Sequence, residues 1–181
     1  PDWHVKFFGG GPDEDKVKRI IADRNLQNSF ILCGVTDKIY KEYQSANLFC
    51  LPSKYEGCPC SLQESQTYGL PAVGFADCPG VNRIIVDGEN CILVSEMTPR
   101  NLAESLSVLM SNDELRNKFG IAALKNSKKY DPDKIFNHWE SIIQTTAASK
   151  GNTILNQTEL SGEQEQWRKK LLKLGKQHHI I

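Results

Sequence analysis

Short apolar runs alternate with helically spaced segments along residues 3–94, and few folds accept that alternation. Residues 3–8 read as a strand that stops at Gly9-Gly10-Gly11-Pro12. Residues 13–25 follow with acids first, which suits a helix dipole, and with Val17, Ile20 and Ile21 at helical spacing. Residues 29–33 form the next expected strand, ending at Gly34. Thr36 or Asp37 is placed to cap a helix carrying Ile39, Tyr40 and Tyr43. Residues 48–51 are a strand closed by Pro52-Ser53. A loop then leads to a short helix near 60–68, stopped by Gly69 and Pro71. Strands are expected again at 71–75 and at 91–94, the latter after an Asp87-Gly88 turn. Strands alternating with helices imply a parallel α/β sheet with helices on both faces. Apart from His4, Lys6 and Ser29 the strands are apolar throughout, as a sheet buried on both faces requires.

Beyond Pro99 the pattern is purely helical. Leu102, Leu106 and Leu109 sit at i, i+4 and i+7, and so do Leu115, Phe119, Ala122 and Ile135, Trp139, Ile142. Residues 147–162, rich in Ser, Thr, Asn, Gly and Gln, read as a linker. Residues 163–181 read as a basic amphipathic helical tail, with Trp167, Leu171 and Leu174 in one stripe.

Charge separates the same segments. The chain has 181 residues, with 22 basic and 22 acidic side chains. Residues 1–148 carry −3 and residues 149–181 carry +3. A neutral total disfavours a general nucleic-acid binder, which needs clustered positive charge against phosphates. No run approaches the ~18 apolar residues of a membrane span. The start is neither a signal peptide nor an initiator Met, so a longer protein, missing its N-terminal side here, is expected. Cys33, Cys50 and Cys91 lie in apolar runs, where Cys acts as a small hydrophobe, and a reducing cytoplasmic compartment is expected. Cys58-Pro59-Cys60 with Cys78 lacks C-x2-C spacing and a nearby His, so no metal site is expected.

Two segments carry candidate chemistry. Gly9-Gly10-Gly11-Pro12 occupies a strand-to-helix turn, where α/β folds bind ligands. It is neither a dinucleotide fingerprint nor a P-loop, and a tight turn without a ligand explains it equally well. The second segment runs from Pro52 to Val73. It places Glu56 on a loop after a strand and Glu64 within the helix that follows. A helix starting near Cys60 would leave Ser61 and Leu62 with unpaired backbone N–H groups, a ready diphosphate site. Glu64 lies roughly 6 Å further along the axis, about where a ribose sits from its diphosphate. A glutamate in a first helical turn is also favoured by the dipole alone.

The whole segment resembles the donor-binding domain of glycosyltransferase family 4, the "glycosyl transferases group 1" of the GT-B fold. The family's Glu-x7-Glu stands here as Glu56 and Glu64, followed by Gly69-Leu70-Pro71-Ala72-Val73. Phe8-Gly9-Gly10-Gly11-Pro12, Ile31-Leu32-Cys33-Gly34 and Val86-Asp87-Gly88-Glu89-Asn90-Cys91-Ile92-Leu93-Val94 also match, with Cys91 in place of the usual Gly. The resemblance covers about residues 1–145.

It implies an α/β, Rossmann-like parallel sheet flanked by helices. This would be the C-terminal half of a GT-B fold without the domain's first strand and helix, with a C-terminal helical tail. Residues 1–146 would be the nucleotide-sugar domain. Glu56 would act catalytically, contacting the transferred sugar, and Gly57 would let the loop approach it. Glu64 would bind the ribose. Backbone N–H groups of Cys60, Ser61 and Leu62 would hold the diphosphate. Gly34, Val35 and Thr36 would line the base, and Gly9, Gly10 and Gly11 would lie near the diphosphate or the inter-domain cleft. The implied activity is retaining sugar transfer from a nucleotide diphosphate, most simply a UDP- or GDP-sugar, to a glycan or lipid-linked acceptor. No metal or other cofactor is implied. The acceptor domain, and an Arg and a Lys that grip the diphosphate, would precede this chain, which alone is expected to be inactive. A non-catalytic donor-binding subunit of a two-chain enzyme and another GT-B enzyme, such as a sugar-nucleotide epimerase, are the alternatives. The basic tail would pack against the missing domain or touch the inner face of a membrane.

Overall fold

The computed structural model describes residues 3–149. The linker and tail expected at 147–162 and 163–181 therefore lie almost wholly outside the described residues. The chain divides into two compact units, Pro1–Ser45 and Ala46–Ile181.

In the first unit, β1 (Val5–Phe8) and β2 (Phe30–Gly34) pair in parallel, joined through α1 (Glu14–Asp23); α2 (Ile39–Ser45) follows β2. α1 is shorter than the helix expected over residues 13–25. Asn25 takes a left-handed φ of 55°, and the Leu26 N–H turns back to the Ile21 carbonyl at 2.9 Å, ending the helix. Thr36 stands before α2, where its hydroxyl accepts the Lys38 N–H at 3.0 Å.

These two strands are not buried on both faces, contrary to the reading of their apolar sequence. Val5, Phe7 and Ile31 are 38–41% exposed. Two helices that contribute only Ile21 and Tyr43 as buried side chains do not cover both faces of a sheet. Cys33 is likewise exposed.

The second unit holds a parallel sheet in the order β3 (Phe49–Leu51), β4 (Ala72–Phe75), β5 (Cys91–Val94). Here the expectation of full burial holds. Every residue of β4 is buried, as the central strand of a parallel sheet should be. Burial pushes the thiols of Cys50 and Cys91 up to about 11 and about 12, with Asp87 and Glu89 adding to the second. Both remain neutral apolar fillers.

α3 (Cys60–Thr67) and the single turn α4 (Pro79–Asn82) flank the sheet, and α5 (Pro99–Met110), α6 (Asp113–Ser127) and α7 (Pro132–Ser149) complete the unit. Thr98 and Asn112 cap α5 and α6 through their side chains. One core joins Leu62 of α3 to Ala72, Cys78, Val81, Ile84, Ile85 and Cys91. A second joins Val73, Phe75 and Val94 to Leu109 and Phe119. α7 is helical as its spacing predicts, yet Ile135, Trp139 and Ile142 are 41–59% exposed. Periodicity specified the helix, but burial needs a neighbouring surface.

α3 ends where Gly69, at φ +70°, reverses the chain and the Leu70 N–H reaches the Ser65 carbonyl at 3.2 Å. Gly120 of α6 meets this turn so closely that a Cβ on it would lie 2.6 Å from the Gly69 carbonyl oxygen. Gly→Ala inside a helix ordinarily stabilises by about 1 kcal/mol. Here the sign should reverse. Gly120→Ala is expected to destabilise by about 2 kcal/mol through overpacking, read as a lower urea midpoint. An unchanged or higher midpoint would show that the two turns separate freely.

Among the described residues no helix is long and apolar enough to cross a membrane.

Candidate functional site

The loop between β3 and α3 carries Glu56 and Gly57, and three interactions hold its course. The Gly80 N–H donates to the Glu56 carbonyl at 3.1 Å. The Gln63 amide donates to Cys58 Sγ at 3.2 Å, and Cys60 Sγ lies 3.7 Å from the Cys58 carbonyl. Pro59 is buried and takes the N-cap position of α3 in an extended conformation. Proline has no side-chain acceptor, so the N-cap residue makes no side-chain hydrogen bond to the first turn of α3. The positive end of the helix therefore keeps its affinity for an anion.

The Leu62 N–H differs from the sequence expectation of an unpaired donor. It donates to the Pro59 carbonyl at 3.1 Å, because the first turn is tight enough for an i to i−3 bond. The Leu62 side chain is fully buried in the core, so this residue anchors the helix.

Cys60 is exposed, while Ser61, Glu56 and Glu64 are half-buried. Glu64 sits in the middle of α3, and its carbonyl accepts the Thr67 hydroxyl at 2.7 Å. Glu56, Gly57, Cys60, Ser61, Leu62 and Glu64 thus share one loop and helix of the second unit.

The other candidates gather on the first unit. β1 and β2 are parallel neighbours, so their carboxyl ends lie together. The Gly9 N–H donates to the Gly34 carbonyl at 2.8 Å, placing Gly9, Gly10 and Gly11 beside Gly34, Val35 and Thr36. Gly9 at φ 119° and Gly34 at φ 68° take backbone conformations that favour glycine. Val35 is 85% exposed, unusual for a large apolar side chain with only packing to do.

Sequence reading missed two features of the second unit. One is α4, a single turn too short for periodicity to reveal. The other is a buried polar chain behind α3. Asn90 donates to Gln66 Oε1 at 2.7 Å, Gln66 donates to the Leu70 carbonyl at 2.9 Å, and Asn90 Oδ1 accepts the Val86 N–H at 2.8 Å. The chain ties the end of α3 to the turn before β5. The signal available was Asn90 within its Asp-Gly-x-x turn and Gln66 on the inward side of α3.

The family described as glycosyl transferases group 1 matches residues 1–126. This chain belongs to that family. An uncharacterized glycosyltransferase of Haemophilus influenzae is 29% identical over 143 residues, 79% of this chain and 40% of its own length. The crystal structure of a Staphylococcus aureus TarM variant in complex with fondaparinux, alpha-GlcNAc-glycerol and UDP matches with a TM-score of 0.71 at 29% identity. That match covers 76% of this chain and 28% of the TarM chain. The C-terminal domain of a group 1 family protein from Francisella tularensis shares the fold, with a TM-score of 0.64 at 22% identity, covering 71% of this chain and 70% of that one. The group 1 chain described here therefore spans less than half the length of the first two relatives. Its parallel sheets flanked by helices are those of GT-B C-terminal domains.

Proposed function

We propose that this chain is the donor-binding part of a retaining glycosyltransferase of family 4, which in its complete form moves a sugar from a nucleotide diphosphate to a glycan or lipid-linked acceptor. The observation that carries the proposal is the arrangement around α3. Glu56 precedes the helix start, Glu64 lies one turn into it, and the N-cap residue, Pro59, places no side-chain acceptor over the helix start. A dinucleotide-type pocket uses the same elements: a helix terminus for phosphate and a carboxylate for ribose hydroxyls. Gly57 adds support, because a Cβ there would meet no protein atom within 4 Å. Packing therefore does not explain that glycine, and close approach of a sugar would.

In this reading Glu64 accepts the ribose hydroxyls. The start of α3 faces the diphosphate through the N–H groups of Cys60 and Ser61, with the Leu62 N–H shared with the Pro59 carbonyl. Glu56 faces the transferred sugar beside its anomeric carbon. Gly34, Val35 and Thr36 line the base, and Gly9, Gly10 and Gly11 lie toward the diphosphate or the cleft. As the sugar–phosphate bond breaks, charge builds on the leaving diphosphate. The helix dipole opposes that charge without moving, which is electrostatic preorganisation. Residues 1–146 act together as the donor domain, the protein works in the cytoplasm, and the tail packs on the acceptor domain or on the inner membrane face. The donor is a UDP- or GDP-sugar; the UDP in the TarM complex supports the first choice.

Thermal shift of the complete protein against UDP-, GDP- and ADP-sugars tests this, since a ligand bound only to the folded state raises its melting temperature. One nucleotide is expected to stabilise selectively. Glu64→Ala should weaken that nucleotide by about 10–100-fold, the equivalent of losing one or two hydrogen bonds to a charged group. Equal affinity in wild type and Glu64→Ala would remove the ribose assignment.

A further inference from the structure

α4 is a single turn of four residues, Pro79–Asn82, and its first residue is a proline. Proline has no N–H, so the first donor at this helix start belongs to Gly80. No side chain of the N-cap residue Cys78 accepts it. Its acceptor is the backbone carbonyl of Glu56, at 3.1 Å. The peptide of the proposed sugar-contacting residue thus serves as the cap of α4.

The contact is also tight. A Cβ on Gly80 would lie 2.3 Å from the Glu56 oxygen, 2.6 Å from the Glu56 carbonyl carbon and 2.9 Å from the Gly57 oxygen. All three are backbone atoms, so no side-chain rotation could relieve the overlap. Gly80 has no left-handed φ to account for it. The glycine is required by close approach alone.

α4 is itself immobilised. Val81 is fully buried in the core that also contains Leu62 of α3. It packs over Gly74 of β4, whose added Cβ would come 3.0 Å from Val81 Cγ1. Asn82 donates its side-chain amide to the Ala76 carbonyl. One apolar core therefore fixes α3, which carries Glu64, and α4, which grips the Glu56 peptide.

We propose that Gly80 is a positioning residue for Glu56: its N–H and its missing side chain dock the Glu56–Gly57 peptide on the core that holds α3, setting the Glu56 carboxylate for the transferred sugar. The inference rests on the reading of Glu56 given above. Gly80 itself touches no substrate and acts only through the loop.

The test uses the complete protein and four variants: Gly80→Ala, Leu109→Ala, Glu56→Gln and the Gly80→Ala/Glu56→Gln double variant. Release of the nucleoside diphosphate measures turnover, and titration with UDP and GDP measures nucleotide affinity. Gly80→Ala is expected to lower kcat about 100-fold, as displacement of a catalytic group by about 1 Å does. Affinity for the nucleoside diphosphate should stay within about threefold, because α3 keeps its place. Leu109→Ala opens a cavity in the other core, whose buried members include no residue of α3 or α4. It should lower the melting temperature while kcat stays within about threefold. The double variant should be little slower than Glu56→Gln alone, because the two substitutions remove one function.

A folded Gly80→Ala protein with wild-type kcat would overturn the positioning role. So would a parallel loss of nucleotide affinity and kcat, which marks general disruption. If Glu56→Gln itself turns over normally, the reading of Glu56 fails instead, and the two failures are thus distinct. Should Gly80→Ala not fold, amide exchange of the wild-type protein decides. The Gly80 amide should be protected, and exchange at the rate of an open loop would refute the docking.

Discussion

Glu56→Gln in the complete protein is expected to lower kcat by about 10²–10³-fold while leaving nucleotide affinity nearly unchanged. The substitution keeps the size and shape of the side chain and removes its charge. In the proposed reaction, positive charge develops at the anomeric carbon as the diphosphate departs. A carboxylate aimed there is worth most in the transition state, so its loss falls on kcat. Nucleotide binding belongs to the first turn of α3 and to Glu64, which the substitution does not touch. Steady-state release of UDP or GDP, with nucleotide affinity measured in parallel, checks both halves. A variant that loses affinity and keeps kcat would reverse the roles of the two glutamates.

The largest stability effect is expected from Leu62→Ala, about 3–4 kcal/mol. Leu62 is fully buried among Ala72, Cys78, Val81, Ile84, Ile85 and Cys91. Truncation would open a cavity in the core shared by α3 and α4, and the backbone around a central parallel strand has little freedom to collapse into it. Denaturant unfolding should show a lower midpoint with an unchanged slope. A loss below about 1 kcal/mol would mean that the core refills, and that α3 is held mainly by the polar chain through Gln66 and Asn90. The prediction also bears on function. The residue whose backbone was expected to bind phosphate is the one whose side chain seats the helix, so Leu62→Ala should weaken nucleotide binding through movement of α3.

The sequence was most legible where one residue's chemistry forces local structure. Gly9 and Gly34 mark turns at strand ends, Thr36 leads into α2, and Gly69 ends α3, each through its own backbone or side-chain bonding. The apolar runs located the five strands of the described residues to within two residues at either end. Burial was less legible. The same kind of apolar run gives the fully buried β4 and the exposed β1, because burial depends on how many neighbours arrive. The stripe of Ile135, Trp139 and Ile142 has a helix's spacing but little cover among the described residues.

The order of Glu56, Gly57 and Glu64 around a strand-to-helix turn was a property of the sequence by itself, and so was the parallel α/β class, since both depend on spacing along the chain. Tertiary structure alone decided that the Leu62 N–H is already engaged, that Gln66 and Asn90 meet in the core, and that Gly80 grips the Glu56 peptide. The first is a bond within one helical turn, from Leu62 back to Pro59, whereas the other two join residues 24 positions apart, each across the whole of β4. Their partners are backbone carbonyls and buried amides, groups present at every position, so composition and periodicity carry no mark of which ones will meet.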